Sequence, residues 1–345
     1  MGESGELGEF GLIARYFTRP TPGAILGPGD DCALLQPSPG MTLATTCDML
    51  VSGVHFLPDA EPRQLGWKSV AVNLSDLAAM GAVPRWLLLA GALPAADPAW
   101  LSAFADGVFA CADTHGAELV GGDTTRMCRI GNAAGPLCLS LTALGEVPEG
   151  RALRRDGARD GDDLWVSGTP GLAALGLARE CGQENGEPPV LPDALAGRAA
   201  AALHTPSPRV ALGCRLRERS LAHAAIDISD GLLADLAHLL RLSGLDAEIG
   251  AHLLPALGAA EECSGISPGL LLDCQLGGGD DYELLFAAPP SARAEIAALA
   301  GELSLPLSRI GTVRAGGSPG GAIAVHEASG RTITPRRRGY EHFRT

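Results

Sequence analysis

Apolar and polar residues alternate along Thr42 to Val51, "TLATTCDMLV", and again along Pro136 to Val147, "PLCLSLTALGEV", with Gly and Pro at the borders. A period of two with such borders predicts β-strands. Between the two runs the period changes. In "PRQLGWKSVAVNLSDLAAMG", Pro62 to Gly81, the residues Leu65, Val70, Leu74, Leu77 and Ala78 recur at helical spacing, and "PAWLSAFADGVFACADTHG" repeats the pattern before a Gly stop. The charged stretch "GRALRRDGARDGDD" then breaks the pattern and predicts a domain boundary near residue 150. Beyond it, "DLWVSG" reads as a strand, while "PGLAALGLARECG" and "SPRVALGCRLRERS" read as helices. The segment "AHAAIDISDGLLADLAHLLRLSG" reads as strand, acidic turn and helix, "LGGGDDYELLFAAPP" as turn and strand, and "ARAEIAALAGEL" as a helix before short Gly-punctuated strands. Both halves mix strands with helices, an α+β pattern. Near the start, "LGPGDDCALL", Leu26 to Leu35, predicts a Gly-Pro-Gly turn that runs into a core strand.

Length changes this picture little: 345 residues suit two domains of ordinary size. Hydrophobic residues at 46% against charged ones at 19% exclude disorder, and no apolar run approaches the roughly 20 residues of a membrane span. "MGESGELGEF" has no basic n-region and no apolar h-region, so a soluble cytoplasmic protein is expected. Nine cysteines without a Cys-x-x-Cys pair suit a reducing compartment and read as small buried hydrophobes. The net charge of −14, with 40 acidic against 26 basic residues, repels nucleic acid and anionic membrane, so neither is an expected partner and cations are. The local exception, Arg336 to Arg338, reads as a solvated tail rather than a phosphate patch.

The acidic residues carry the candidate chemistry. Asp30 and Asp31 follow "GPG", Asp48 lies in a strand, Asp76 in an apolar helix and Asp123 after "VGG". Asp227 and Asp230 lie in "IDISDG", and Asp280 and Asp281 follow "GGG". Seven of these nine abut a strand end or a glycine turn, where backbone approaches a ligand closely. Carboxylates gathered in one place resist ionising unless cations neutralise them, and oxygen ligands alone point to hard ions of the Mg²⁺ or Ca²⁺ type. Taken singly, each turn reads first as ordinary Asp-Gly turn chemistry, and Asp230 as a helix N-cap. Asp76 is harder to read that way, because an unpaired buried carboxylate costs several kcal/mol. Asn73 shares its helical face. A hard metal in an αβ enzyme handles phosphate, yet there is no Gly-x-x-x-x-Gly-Lys-Ser/Thr loop, and Lys68 is the only lysine.

Taken in order, "FGLIARYF", "GPGDDCALL", "DMLVSGVHF", "WKSVAVNLSDLAAMGAVP", "LVGGDTTR", "GRALRRDGARDGD", "VSGTPG", "AIDISDGLLADL" and "GGGDDYELLF" resemble the thiamine-monophosphate kinase family over nearly the whole chain. That family belongs to the superfamily of aminoimidazole ribonucleotide synthetase and selenophosphate synthetase. The resemblance implies a two-domain PurM-like fold of mixed α/β type. Residues 1–149 would bind ATP and Mg²⁺ and pair their sheet across a homodimer, and residues 150–345 would complete the active-site cleft. It implies phosphorylation of thiamine monophosphate to thiamine diphosphate with several Mg²⁺ ions and ATP as co-substrate. Position by position, Asp31, Thr46, Cys47, Asp48, Asp76, Asp123, Asp227 and Asp230 fall on metal positions. Among these, Asp31, Asp76, Asp123, Asp227 and Asp230 are the catalytic candidates. Gly122, Asp123, Arg155 and Ser229 fall on nucleotide positions, and His55, Asp280 and Tyr340 on thiamine positions.

Two departures stand out. Cys47 stands where the family has Thr, and a thiol is a poor Mg²⁺ ligand, so its backbone carbonyl is the alternative contact. "GGDD" replaces the family "GGED", which shortens Asp280 by a methylene. The rival readings are another ATP-using enzyme of the superfamily and a non-catalytic Mg²⁺- and nucleotide-binding protein; the latter would lack the trio His55, Asp280 and Tyr340.

Overall fold

The structure, a computed structural model, describes residues 8–130, 133–182, 187–316 and 321–343. The leader reading rests partly on residues 1–7, which lie outside the described residues. The chain divides into two compact units. One is the chain up to Leu77 with Val83–Glu149; the other is Ala78–Ala82 with the chain from Gly150.

The first unit runs α1 (Glu9–Leu12), β1 (Met41–Val51), α2 (Pro62–Ala79), β2 (Val83–Leu93), α3 (Pro98–His115), β3 (Glu118–Arg126), the short β4 (Arg129–Ile130) and β5 (Ala133–Ala134), and β6 (Cys138–Pro148). Four strands form one sheet in the order β1-β6-β2-β3, antiparallel except for the β2/β3 pair. The predicted strands at β1 and β6 and the predicted helices α2 and α3 all form. Asp97 starts α3 by accepting from the Ala99 amide, and Gly116 stops it in the left-handed conformation at φ 69°. Helices α2 and α3 cross at glycines. A Cβ on Gly66 would sit 2.1 Å from the Phe104 carbonyl oxygen, and one on Gly107 would sit 1.9 Å from that of Arg63. Leu74 and Leu77 of α2 and Leu101, Phe104 and Val108 of α3 are almost fully buried.

Strands β2 and β3 escape the alternation rule. "VPRWLLLAGAL" is nearly continuously apolar, which periodicity cannot assign, and the glycines of "ELVGGDTTR" look like a loop. The core strand expected after Asp31 does not form. Leu26 and Leu34 bridge to each other, through the Leu34 amide to the Leu26 carbonyl at 2.9 Å and the return bond at 3.2 Å; the Leu34 carbonyl also accepts the Ile25 amide at 2.8 Å, and Leu34 is 52% exposed. The loop's pairing with itself uses the backbone groups that a ladder would need.

The second unit contains β7 (Asp163–Ser167), α4 (Leu172–Cys181), α5 (Asp193–His204), α6 (Val210–Glu218), β8 (Ala224–Ile228), α7 (Leu232–Ser243) and β9 (Leu245–Gly250). It continues with α8 (Ala260–Cys263), α9 (Pro268–Gly277), β10 (Glu283–Ala288), α10 (Arg293–Leu303), β11 (Leu307–Ala315), β12 (Ile323–His326) and β13 (Thr332–Ile333). Its sheet has the order β13-β12-β9-β11-β7-β10-β8, antiparallel except for β12/β9. β7, β8 and β10 are buried along their whole length. Leu164, Val166, Ile226, Ile228 and Leu285 pack with Leu232, Leu236, Leu239 and Leu240 of α7 in one core. A second core joins Leu175, Leu195, Ala199 and Cys274 of α4, α5 and α9. Helices α5 and α9 went unpredicted, the first being alanine-rich and the second apolar on all sides.

The cysteines correct another expectation. Only Cys111 and Cys274 are buried, while Cys32, Cys47, Cys128 and Cys181 are exposed. Cys32 lies in the self-paired loop and Cys47 on the open face of β1, so neither has a core to enter. No helix among the described residues is long and apolar enough to cross a membrane.

Candidate functional site

In the first unit, β1 and α2 bring the candidate donors together. Alternation along β1 places Thr46, Asp48 and Leu50 on one face and Cys47 and Met49 on the other. The Thr46 hydroxyl donates to Asp76 Oδ2 from α2, and the Asp48 amide donates to Asn73 Oδ1 at 3.0 Å, one helical turn earlier. Asp76 is half-buried rather than fully buried, and its carboxylate is met by a hydroxyl. Asn73, 1% exposed, donates its own amide to the Ser69 carbonyl, which orients its oxygen toward β1. Cys47 faces the other way, with its sulfur 3.4 Å from Ser140 Oγ, so its thiol does not join Thr46 and Asp48.

Other candidates of this unit lie nearby in the chain path but make separate arrangements. His55 closes the turn after β1, its Nδ1 accepting from the Val51 amide at 3.1 Å. Gly122 is required by close approach, since a Cβ there would lie 1.8 Å from the Leu89 carbonyl oxygen; Asp123, paired with Ala90, follows it and is exposed. Asp31 is exposed, and among the described residues no hydrogen bond ties it to Thr46, Asp48 or Asp76. Asp30 Oδ1 accepts from the Asp31 amide at 2.8 Å, a turn role.

In the second unit the gathering is tighter. Asp227, one residue before the end of β8, is buried; Ser229 and Asp230 form the turn into α7. Asp230 does not cap α7, whose N-cap is Gly231 without a side-chain cap. Asp235 serves instead: its Oδ2 accepts the amides of Ser229, Asp230 and Gly231, each at 3.1 Å. Burial and the neighbouring Asp230 charge push the Asp235 carboxyl up to about 7, against the pull of those amides. The Asp280 amide donates to the Ser229 carbonyl and the Tyr340 amide to the Asp230 carbonyl, both at 2.8 Å. Asp280 sits at φ 66° and Tyr282 at φ 51°, a left-handed pair that costs strain for non-glycine residues. The Tyr282 hydroxyl donates to Asp280 Oδ1 at 3.0 Å and aims that carboxylate. Asp281 turns inward, accepting the amides of Gly171 at 2.7 Å and Ala173 at 3.3 Å; burial pushes its carboxyl well above the ordinary range. Tyr340 is 54% exposed, its ring edge-on to His342. Arg155 is exposed in the turn beside β8, its carbonyl accepting from Ser243 Oγ at 3.0 Å, and the tail Arg336 to Arg338 is exposed as expected.

Asp235 and Tyr282 are the residues that sequence reasoning missed as parts of the site, whereas Asn73 and Asp281 were singled out without a partner. The signal for Asp235 was an acid in the first turn of a helix preceded by Ser-Asp-Gly.

Family models match both halves of the chain. AIR synthase related protein, N-terminal domain, matches residues 29–147, and the corresponding C-terminal domain matches residues 159–323. The thiamine-monophosphate kinase of Salmonella typhimurium is 42% identical over 348 residues, covering 98% of this chain and 99% of that protein. The chain belongs to the thiamine-monophosphate kinase family. A crystal structure of the thiamine-monophosphate kinase from Stenotrophomonas maltophilia superposes with TM-score 0.77 at 45% identity, covering 93% of this chain and 95% of that one. The structure of AaThiL complexed with AMPPCP and TMP gives TM-score 0.71 at 30% identity, covering 98% and 97%. A crystal structure of the hydrogenase maturation protein HypE, at TM-score 0.71 but 23% identity, shares the fold alone.

Membership in the thiamine-monophosphate kinase family raises the question of Mg²⁺. Among the described residues no three His, Cys, Asp or Glu side chains close into a ready metal cage. Mg²⁺ does not ask for one: it takes one or two carboxylates and completes its shell with water and substrate phosphate. The donors here are all oxygen, with Thr46, Asp48 and Asp76 grouped in one unit and Asp227 and Asp230 in the other, and they fit that ion.

Proposed function

We propose that the chain transfers the γ-phosphoryl of ATP to the phosphate of thiamine monophosphate, giving thiamine diphosphate by direct in-line displacement. The observation that carries this reading is the turn after β8, where the Asp280 amide donates to the Ser229 carbonyl and the Tyr340 amide to the Asp230 carbonyl, next to Asp227 in β8. It is supported by near-full-length similarity to thiamine-monophosphate kinases and by the AMPPCP and TMP of the AaThiL complex.

Asp31, Thr46, Asp48, Asp76 and Asp123 from the first unit, with Asp227 and Asp230 from the second, would hold Mg²⁺; Cys47 would contribute through its backbone carbonyl. Bound at these residues, several Mg²⁺ ions would neutralise the charge of two facing phosphates. Gly122, Arg155 and Ser229 would bind the nucleotide, with Arg155 adding charge. His55, Asp280 and Tyr340 would bind thiamine, the tyrosine by stacking on a cationic ring and the carboxylate by pairing with it. The acceptor phosphate is largely ionised at neutral pH, so these residues need only position it and no strong general base is required. No phosphorylated enzyme forms; isolation of a kinetically competent one would overturn the in-line reading.

The homodimer is part of the proposal. β1 is an edge strand whose open face carries Met41, Leu43 and Met49, each at least 40% exposed, an apolar edge of the kind that pairs with another chain. Nine free cysteines favour a cytoplasmic setting. The test is transfer from radiolabelled ATP to thiamine monophosphate, with Mg²⁺ present or chelated, comparing wild type with Asp31→Asn. Mg²⁺-dependent thiamine diphosphate that fails in the variant is expected; no product under any condition would overturn the reading.

A further inference from the structure

Three consecutive amides at the start of a helix make a nest that binds anions, and in many phosphate-handling proteins the anion is the substrate. In this chain the nest at the start of α7 is already filled. The amides of Ser229, Asp230 and Gly231 all donate to one oxygen of Asp235, which is 4% exposed. Asp235 closes the loop from the other side by donating its own amide to the Gly231 carbonyl at 3.0 Å. The backbone thus clamped is the one from which the rest of the site hangs. The Ile228, Ser229 and Asp230 carbonyls accept the amides of Tyr282, Asp280 and Tyr340, each at 2.8 Å. The packing leaves no slack: a Cβ on Gly279 would lie 2.3 Å from the Ser229 carbonyl oxygen, and one on Gly339 would lie 2.4 Å from the Ala234 Cβ.

We propose that Asp235 is a positioning residue for phosphoryl transfer, setting the geometry of Ser229, Asp230, Asp280 and Tyr340 through the backbone without touching either substrate. Because its carboxylate occupies the nest, the helix N-terminus of α7 is not a phosphate seat, and substrate phosphates meet the side chains of the turn instead. The consequence for turnover rests on the kinase reading, whereas the clamp itself does not. A misplacement of about 1 Å in such a constellation costs on the order of a hundredfold in rate.

The experiment compares wild type, Asp235→Asn, Asp235→Ala and Leu236→Ala, the last a core change one residue away that removes packing but no clamp. Steady-state turnover per folded molecule is measured beside amide hydrogen exchange at residues 229–231. Asp235→Ala is expected to lose on the order of a hundredfold in kcat, with faster exchange at the three amides and protection kept along the later turns of α7. Asp235→Asn, which retains an acceptor oxygen, should recover most of both. Leu236→Ala should keep its kcat per folded molecule. Unchanged exchange at 229–231 in Asp235→Ala, or a kcat loss no greater than that of Leu236→Ala, would overturn the proposal. If wild type itself makes no thiamine diphosphate, the kinase reading fails, and the exchange result still decides the clamp.

Discussion

The two units hold their candidate donors in opposite ways. In the first, Thr46, Asp48 and Asp76 are half-buried on a strand and a helix, and they are held by side chains: a hydroxyl on a carboxylate, an asparagine oxygen on an amide. In the second, the turn of Ser229 and Asp230 is held by a buried carboxylate, Asp235 on three amides, and Asp281 beside Asp280 is tied to two amides at the start of α4. Side-chain pairs orient the donors directly, whereas backbone clamps give up their own carboxylates to fix the place of others. Substitutions in the first region should therefore cost turnover, and substitutions beneath the second should cost stability or geometry.

Asp76→Asn is the sharpest break. Asparagine keeps an acceptor for Thr46 but gives up the negative charge, so turnover should fall by on the order of a hundredfold or more. The thermal midpoint should hardly move. Rate and melting measured on one preparation check this, and an equal loss of both would make Asp76 a structural residue. Next comes Leu236→Ala beneath the turn, fully buried in the α7 core. It should cost about 2–5 kcal/mol of unfolding free energy, read by urea titration, with kcat per folded molecule retained. Tyr340→Ala removes an exposed ring rather than a clamp. The expected loss is about 1 kcal/mol, a several-fold rise in KM for thiamine monophosphate with kcat little changed.

The smallest effect lies away from both regions. Burial works to raise the Asp163 carboxyl, but Arg293 and Arg309 outweigh it and hold it below its ordinary value. A depressed carboxylate contributes stability that is present above its unfolded value and lost as pH falls through the folded one. Arg293 is half-exposed, so Arg293→Ala should change neutral stability little. It should also shift acid unfolding to higher pH, which a circular dichroism titration would detect.

Much of the second unit was legible because its signals are local. "IDISDG" and "GGGDD" announce turns by their glycines, and the helix after the first is amphipathic over its whole length. Asp235 was not legible, because an acid in the first turn of a helix is common and only the path of the chain brings its carboxylate onto three amides. Tyr282 likewise reads as a strand aromatic until its left-handed backbone turns the hydroxyl onto Asp280. In the first unit, periodicity found β1 and α2 but not which oxygens face each other, and it missed β2 and β3.

By itself, the sequence determined where the periods change, where the acidic turns lie and, through the ordered motifs, the family. These are properties of neighbours in the chain, set by side-chain spacing and glycine placement. Tertiary structure alone decided that Asp31 stays in a self-paired loop, that Cys47 faces away from Thr46 and that Asp235 fills the nest at the start of α7. The first and last of these close within a few residues and the second sets Cys47 against Ser140 far along the chain; in each, burial and the pairing of backbone amides choose among local options, since an unpaired amide inside the core is costly.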